Sequence, residues 1–226
     1  MTGAPRIDLH VHSSYSPDSR HPPGAFAERL AYSGMNGFAL TDHNTVAGHA
    51  RLPDLVRRFP SYVFVPGVEI STSEGHLLAY GVRETPPAYR SLAESVDWVR
   101  GHGGIAILAH PCRWTHGVGR RRSEEVSVDG LEAVNGHNGL VANARAELIG
   151  ARRRLVLPGG GGAHAPADLG RGFTQFTTPL GSAEELLTEL KRGHTEAGGV
   201  SLTSGERLGW LVQTAGRRAL RGFRRI

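Results

Sequence analysis

A single cysteine, Cys112, stands in a chain of 226 residues. No internal disulfide can form, so nothing here asks for an oxidising compartment. No run of about 18 apolar residues is long enough to cross a bilayer. The opening stretch, MTGAPRIDLHVHSS, lacks the apolar core of a signal peptide. These absences predict a cytoplasmic protein with no membrane partner. Lysine is almost missing: Lys191 stands alone among 26 basic residues. Acids are missing from the last ten residues, Arg217–Ile226, which hold five arginines. The formal net charge is +5, so the rest of the chain is neutral and the basicity belongs to the tail. Aromatics are only 7% of the chain, and the body shows no basic groove rich in them, which argues against a nucleic-acid track. What is present suits a globular protein: 39% hydrophobic and 21% charged residues exclude wholesale disorder. The length fits one large domain, two small ones or a single α/β barrel.

Short apolar strands alternate with amphipathic helices along the chain. Strands are expected over Arg6–Val11, Gly37–Thr41, Tyr62–Ser71, His76–Val82, Gly104–Ala109, Asp129–Val134 and Arg154–Leu157. Helices are expected over Pro23–Ser33, His49–Phe59, Ser91–Gly101, Gly139–Arg152 and Ser182–Arg192. This alternation predicts a mainly parallel sheet or barrel. We divide the chain into one barrel domain, 1–215, and a basic tail, 216–226. The tail reads as a terminal helix with a charged face. Gly159–Gly162 reads as a flexible loop at the barrel mouth, and Thr115–Ser127, with Arg120, Arg121 and Arg122, as a solvated loop.

Residues able to hold metals recur at the ends of these strands. His10 and His12 are two apart and therefore share one face of the first strand. Asp8 lies on that face and Asp18 follows in the next loop. Asp42 and His43 end the second strand, and Glu69 the third. His76 begins the fourth, His110 ends the fifth, Asn135 and His137 follow the sixth, and His164 follows the glycines. Parallel barrels build active sites at such strand ends. One histidine there means little, but the recurrence points to a metal centre.

The segments DLHVHS (8–13), TDH (41–43), GVEIS (67–71), AHP (109–111) and GAH (162–164) resemble, in this order, the motifs of the PHP superfamily, named for polymerase and histidinol phosphatase. HNTVAGH after Asp42 and EGHLLAYGV over Glu74–Val82 resemble its small stand-alone phosphoesterases. The resemblance implies a distorted (β/α)7 barrel with up to three divalent metals at its C-terminal mouth, and hydrolysis of a phosphate ester. By motif, it puts His10, His12 and Glu69 on a first metal. Glu69 would bridge to a second that His110 also binds, with Asn135 nearby. Asp18, His43 and His164 would hold a third. Asp42 would orient a ligand imidazole, and Asp8 would do likewise. One departure stands out: the family's usual Gly-Ser-Asp-Ala-His is here Gly160-Gly161-Gly162-Ala163-His164, so Gly162 occupies the place of a ligand Asp. Asp8 or Asp168 is then a candidate substitute.

The chemistry agrees with the residue types. Clustered cations neutralise phosphate charge and activate water, and mixed nitrogen and oxygen ligation suits zinc, manganese or iron better than magnesium or calcium. His76 or His137 is a candidate proton donor to the leaving group. Arg113 and Arg171 are candidate phosphate clamps because a guanidinium fork matches phosphate oxygens. The expected substrate is a small phosphomonoester: a nucleoside monophosphate, a sugar phosphate or histidinol phosphate. The alternatives are a diesterase acting on short oligonucleotides and a catalytically silent domain marked by Gly162. Cys112 reads as a small apolar filler. His21, His49, His102, His116 and His194 match no motif and read as surface residues. Oligomeric state is open at this level.

Overall fold

The structure, a computed structural model, describes residues 3–203, 205, 206 and 209. The expected basic tail lies outside the described residues.

The first strand, β1 (Arg6–Val11), shows how the site is placed. Ile7 and Leu9 enter one apolar cluster and Val11 another. The alternation of side chains along a strand then turns Asp8, His10 and His12 to the opposite face. Both faces are covered, and Asp8, His10 and His12 are buried with the apolar residues. Helix α1 (Pro23–Ser33) starts on a proline whose missing N–H costs nothing there, and stops at Gly34 with φ 71°. It lays Phe26, Ala27 and Leu30 against the sheet. Strand β2 (Gly37–Leu40), helix α2 (Leu52–Arg58), β3 (Val63–Ser71) and β4 (His76–Tyr80) follow. Next come α3 (Leu92–Gly101), which Ser91 and Glu94 cap reciprocally, and β5 (Ile105–Leu108). The chain continues through α4 (Arg120–Glu125), β6 (Gly130–Leu131), β7 (Val134–Asn135), α5 (Leu140–Arg153), β8 (Gly159–Gly160), β9 (Gly172–Phe176), α6 (Ala183–Arg192) and β10 (Thr195–Gly199).

The strands form one sheet in the order β10-β9-β1-β2-β3-β4-β5-β6, with β7 and β8 as a separate pair. The sheet is mixed, which corrects the expected mainly parallel arrangement. β1–β2, β2–β3 and β5–β6 pair parallel, whereas β3–β4, β4–β5, β1–β9 and β9–β10 pair antiparallel. For β3–β4 the reason lies in loop length: only residues 72–75 join the two strands, and a parallel return needs a crossover of a dozen residues or more. Isolated bridges Val11–Ala163 and Gly130–Val156 tie the 156–163 segment to β1 at one side and β6 at the other, so the sheet curls around.

Three other expectations change. The strand expected over 154–157 is reduced to the single bridge at Val156, because Arg154 takes a left-handed conformation (φ 55°) to end α5. Pairing starts instead inside the glycine run, as β8. Those glycines are therefore buried structure and not a flexible loop. A Cβ on Gly160 would lie 2.5 Å from the Cβ of His10, so only glycine lets the two backbones meet. The Thr115–Ser127 stretch contains α4, where Arg120 pairs with Glu124 and Arg121 with Glu125. Those two arginines serve their own helix. Cys112 is half-buried and packs on the core, as expected of a filler. Among the described residues no helix is long and apolar enough to cross a membrane.

Candidate metal centre

Glu69, near the end of β3, is almost fully buried and meets a ring of imidazoles. Its Oε2 lies 3.0 Å from His10 Nε2, 3.1 Å from His12 Nε2 and 3.4 Å from His43 Nε2. Its Oε1 lies 2.8 Å from His76 Nδ1 and 3.0 Å from His110 Nε2. Burial opposes the charge of this carboxylate, yet His43, His10 and His76 hold its pKa well below the usual range. A second acid, Asp18, stands beside it, with Oδ2 2.8 Å from His164 Nε2 and 3.4 Å from His43 Nε2. Here too burial is outweighed, by His164 and His43, and the carboxyl stays well below its ordinary pKa. Three sets of ligand atoms lie close enough to share an ion: His10, His12 and Glu69; His43, Glu69 and His76; His12, Asp18 and His164.

The donor set fits divalent cations. Each nitrogen of His10 faces a carboxylate, Glu69 on one side and Glu132 Oε1 at 2.9 Å on the other. Burial would push His10 down, but Glu132 and Glu69 lift it to about 10. A cation on the Glu69 side relieves the need for that second proton. His12, by contrast, is pushed down to about 3 by burial and by His164 beside it, so it is a neutral donor. Among the described residues the buried Nδ1 atoms of His43 and His110 have no hydrogen-bond partner.

The structure brings together His10, His12, Asp18, His43, Glu69, His110 and His164, and adds His76 to them. His76 is buried with Nδ1 on Glu69, in a ligand-type position and not facing solvent. Among the described residues Asp42 hydrogen-bonds no imidazole. It accepts hydrogen bonds from Ser13 N (2.6 Å) and Ser13 Oγ (2.8 Å), which pins the turn after β1, and burial raises its pKa to about 6. Asp8 likewise holds backbone: it accepts from Gly161 N, Gly170 N and His10 N. Burial lifts it to about 7 against those donors. Neither Asp8 nor Asp168 joins a candidate ligand set among the described residues. Asn135 lies between Glu132, to which its Nδ2 donates, and Arg113, whose guanidinium donates to its Oδ1. Arg113 also donates to Asn138 Oδ1 at 2.8 Å. Arg171 donates to Glu206 and to the Gly136 carbonyl. At Gly162 (φ 59°) an added Cβ would face Asn135 and His137, whose Nδ1 meets the Gly161 carbonyl.

Two members escaped the sequence reading. Glu132 binds His10 Nδ1, the His110 backbone N–H (2.7 Å) and Asn135. Its signal was a lone acid inside the apolar run Gly130–Val134. His116 is exposed, as expected, and its ring also stacks on that of His76 with centroids 4.8 Å apart. Nothing in its local sequence marked it.

A family model described as the PHP domain matches residues 8–96, and one described as PHP-associated matches 141–195. A protein of Methanocaldococcus jannaschii without an assigned function is 30% identical over 150 residues, 61% of this chain and 87% of that one. The chain belongs to the PHP superfamily. A further PHP relative, a 3',5'-nucleoside bisphosphate phosphatase of Chromobacterium violaceum, is 32% identical over 41% of this chain and 35% of its own length. The chain thus spans about a third of that enzyme. Among solved structures, a two-domain protein of Bacteroides vulgatus, described as containing a predicted PHP-like metal-dependent phosphoesterase, superposes with a TM-score of 0.73 at 16% identity. That match covers 87% of this chain and 65% of the other, and shows the shared fold.

Proposed function

We propose that this PHP chain is a metal-dependent phosphoesterase that hydrolyses a small phosphomonoester with water as the nucleophile. The observation that carries the proposal is the buried Glu69 carboxylate facing the imidazoles of His10, His12, His43, His76 and His110. A purely structural core would leave such a group out, because burying charge is costly unless it is paired. We read the sheet with its two bridges as the distorted (β/α)7 barrel of the family, and residues 1–215 as its domain.

His10, His12 and Glu69 would hold one ion, His43, Glu69, His76 and His110 a second, and His12, Asp18 and His164 a third. Bound divalent cations supply positive charge for the phosphoryl oxygens and acidify water at the site. The chain's own groups do the rest. Glu132 keeps a proton on His10 Nδ1 and leaves Nε2 open to a ligand. Asp18 aligns His164 and His43. Asp42 and Ser13 fix the turn that carries Asp18. Arg113, held in place by Asn135 and Asn138, stands after His110 with fixed positive charge for an ester oxygen. His76 is a ligand in this reading, and His137 is the remaining imidazole near the ester's leaving side.

The test is metal content by mass spectrometry on tag-free protein, followed by phosphate release from a panel of monoesters. Two or three zinc, manganese or iron ions per chain with phosphate release support the proposal. His12→Ala and Glu69→Ala should both abolish release and lower bound metal. No metal after soaking, or wild-type rates in both variants, overturns it in favour of a silent binding domain.

A further inference from the structure

Helix α5 is apolar on two opposite faces. Asn143, Ala146, Ile149 and Gly150 are buried against the rest of the protein. On the other side Val141, Ala144, Leu148 and Ala151 are exposed, and their spacing aligns them along the helix. Leu140 is 72% exposed, Val141 63% and Leu148 51%. Trp114, 93% exposed, adds its indole at the start of the helix, where it lines one cavity of about 460 Å³ with Leu140 and Val141. Scattered apolar residues on a surface mean little, but a contiguous patch marks an interaction surface.

The spacing is that of a heptad seam. Val141 and Leu148 take its first position, Ala144 and Ala151 its fourth. The charges beside the seam indicate what covers it. Glu147 lies on one edge and Arg145 and Arg152 on the other, all exposed. Glu147 precedes Leu148 at the seventh heptad position, and Arg152 follows Ala151 at the fifth. Those two positions meet across a pair of parallel helices. A second copy of α5 laid parallel therefore sets Glu147 of one chain against Arg152 of the other, and the two-fold axis repeats the pair. In an antiparallel pair each edge meets its own kind, glutamate against glutamate and arginine against arginine. The chain's own residues 207–226 contain no acid, so they offer Arg145 and Arg152 nothing to pair with.

We infer that the exposed face of α5, with Trp114 at its end, is the interface of a two-fold homodimer in which the two α5 helices run parallel. Two heptads make a short seam, so the pair dissociates on dilution. The inference is independent of the reaction at the metal centre.

The test is sedimentation velocity on the full-length protein over a concentration series. A two-chain species should form as concentration rises. Leu148→Glu should abolish it, because each copy would bury a charge facing its twin. Glu147→Arg and Arg152→Glu should each raise the dimer Kd about tenfold at low salt. The double variant, with the two charges exchanged, should return Kd close to wild type. Structural damage at the two positions would add instead of cancelling, so the rescue is specific to the pairing. All three positions are exposed, and circular dichroism checks the fold. A one-chain mass at every soluble concentration overturns the inference. A dimer untouched by Leu148→Glu places the contact elsewhere and overturns it too. A dimer lost in Leu148→Glu but unmoved by either charge reversal, or reversals that add in the double variant, overturns the parallel arrangement.

Discussion

The Nδ1 of His10 and the Oε1 of Glu132 lie 2.9 Å apart, on the side of the ring away from Glu69. One imidazole is thus held between two buried acids. Glu132 fixes both the tautomer and the direction of the ring, a role that usually carries 10- to 100-fold in metal affinity. Glu132→Gln keeps the shape and removes the charge. Its expected result is divalent-ion affinity lower by about 10- to 100-fold in a chelator competition, with unchanged far-ultraviolet dichroism. Affinity equal to wild type would show that the ring is held by packing alone.

The candidate ligand sets converge only when the chain is folded, because β1, β3, β4 and the segments after β1, β2 and β8 each contribute. A metal held there would stabilise the fold. At a free ion concentration 100 times Kd the gain is about 2.7 kcal/mol, read as a rise in Tm. Glu69→Ala should lose most of that rise, since Glu69 belongs to two of the sets. A Tm indifferent to zinc, manganese and chelator would remove the metal centre.

Gly160 and Gly162 are two residues apart and should respond in opposite ways. Gly160→Ala forces a methyl against His10 and should cost about 1–3 kcal/mol in urea unfolding and displace the ring. Gly162→Asp puts its Cβ 3.2 Å from Asn135 Nδ2, so that amide must give by a few tenths of an ångström, and Asp tolerates φ 59° better than most side chains. Its expected outcome is higher metal occupancy by mass spectrometry. Unchanged occupancy would mean that the departure at 162 did not thin the centre.

His49 gives a pH test away from the metal ligands. Its Nε2 donates to the Gly67 carbonyl at 2.8 Å, and burial pushes its pKa below 6.5. The unfolded chain therefore takes up this proton first. The stabilising contribution is complete above about pH 6.5 and is lost as pH falls toward the lower folded value. Between pH 7 and 5 the Tm of the wild type should drop more than that of His49→Gln. Parallel curves would exclude the linkage.

The legible features were those written in one stretch of chain. β1 and α1 match their expected limits because alternation, an opening proline and a closing glycine are all local signals. The same holds for His10 and His12, which share a face by spacing alone. Glu132 and His116 were not legible, since their roles depend on partners brought close only by folding. Strand β8 was hidden because glycine has no strand preference of its own. Its pairing exists because His10 and Phe173 come too close for any side chain. β9 and β10 were missed as well; β10 is TEAGG, and only its pairing with β9 makes it a strand. The direction of β4 was readable from the four-residue connection, 72–75, and strand–helix alternation drew attention away from it.

The glycine run has a consequence for how this protein can change. Along 159–161 the wall behind the imidazoles is bare main chain, pressed against Phe173, His10 and the Asp8 carboxylate. Substitution there has nowhere to go, so this wall is closed to variation. Change is easier at Trp114 and at the first residues of α5, Leu140 and Val141, whose side chains are exposed around one cavity. Descendants of this chain should therefore keep one half of the mouth and diverge in the other.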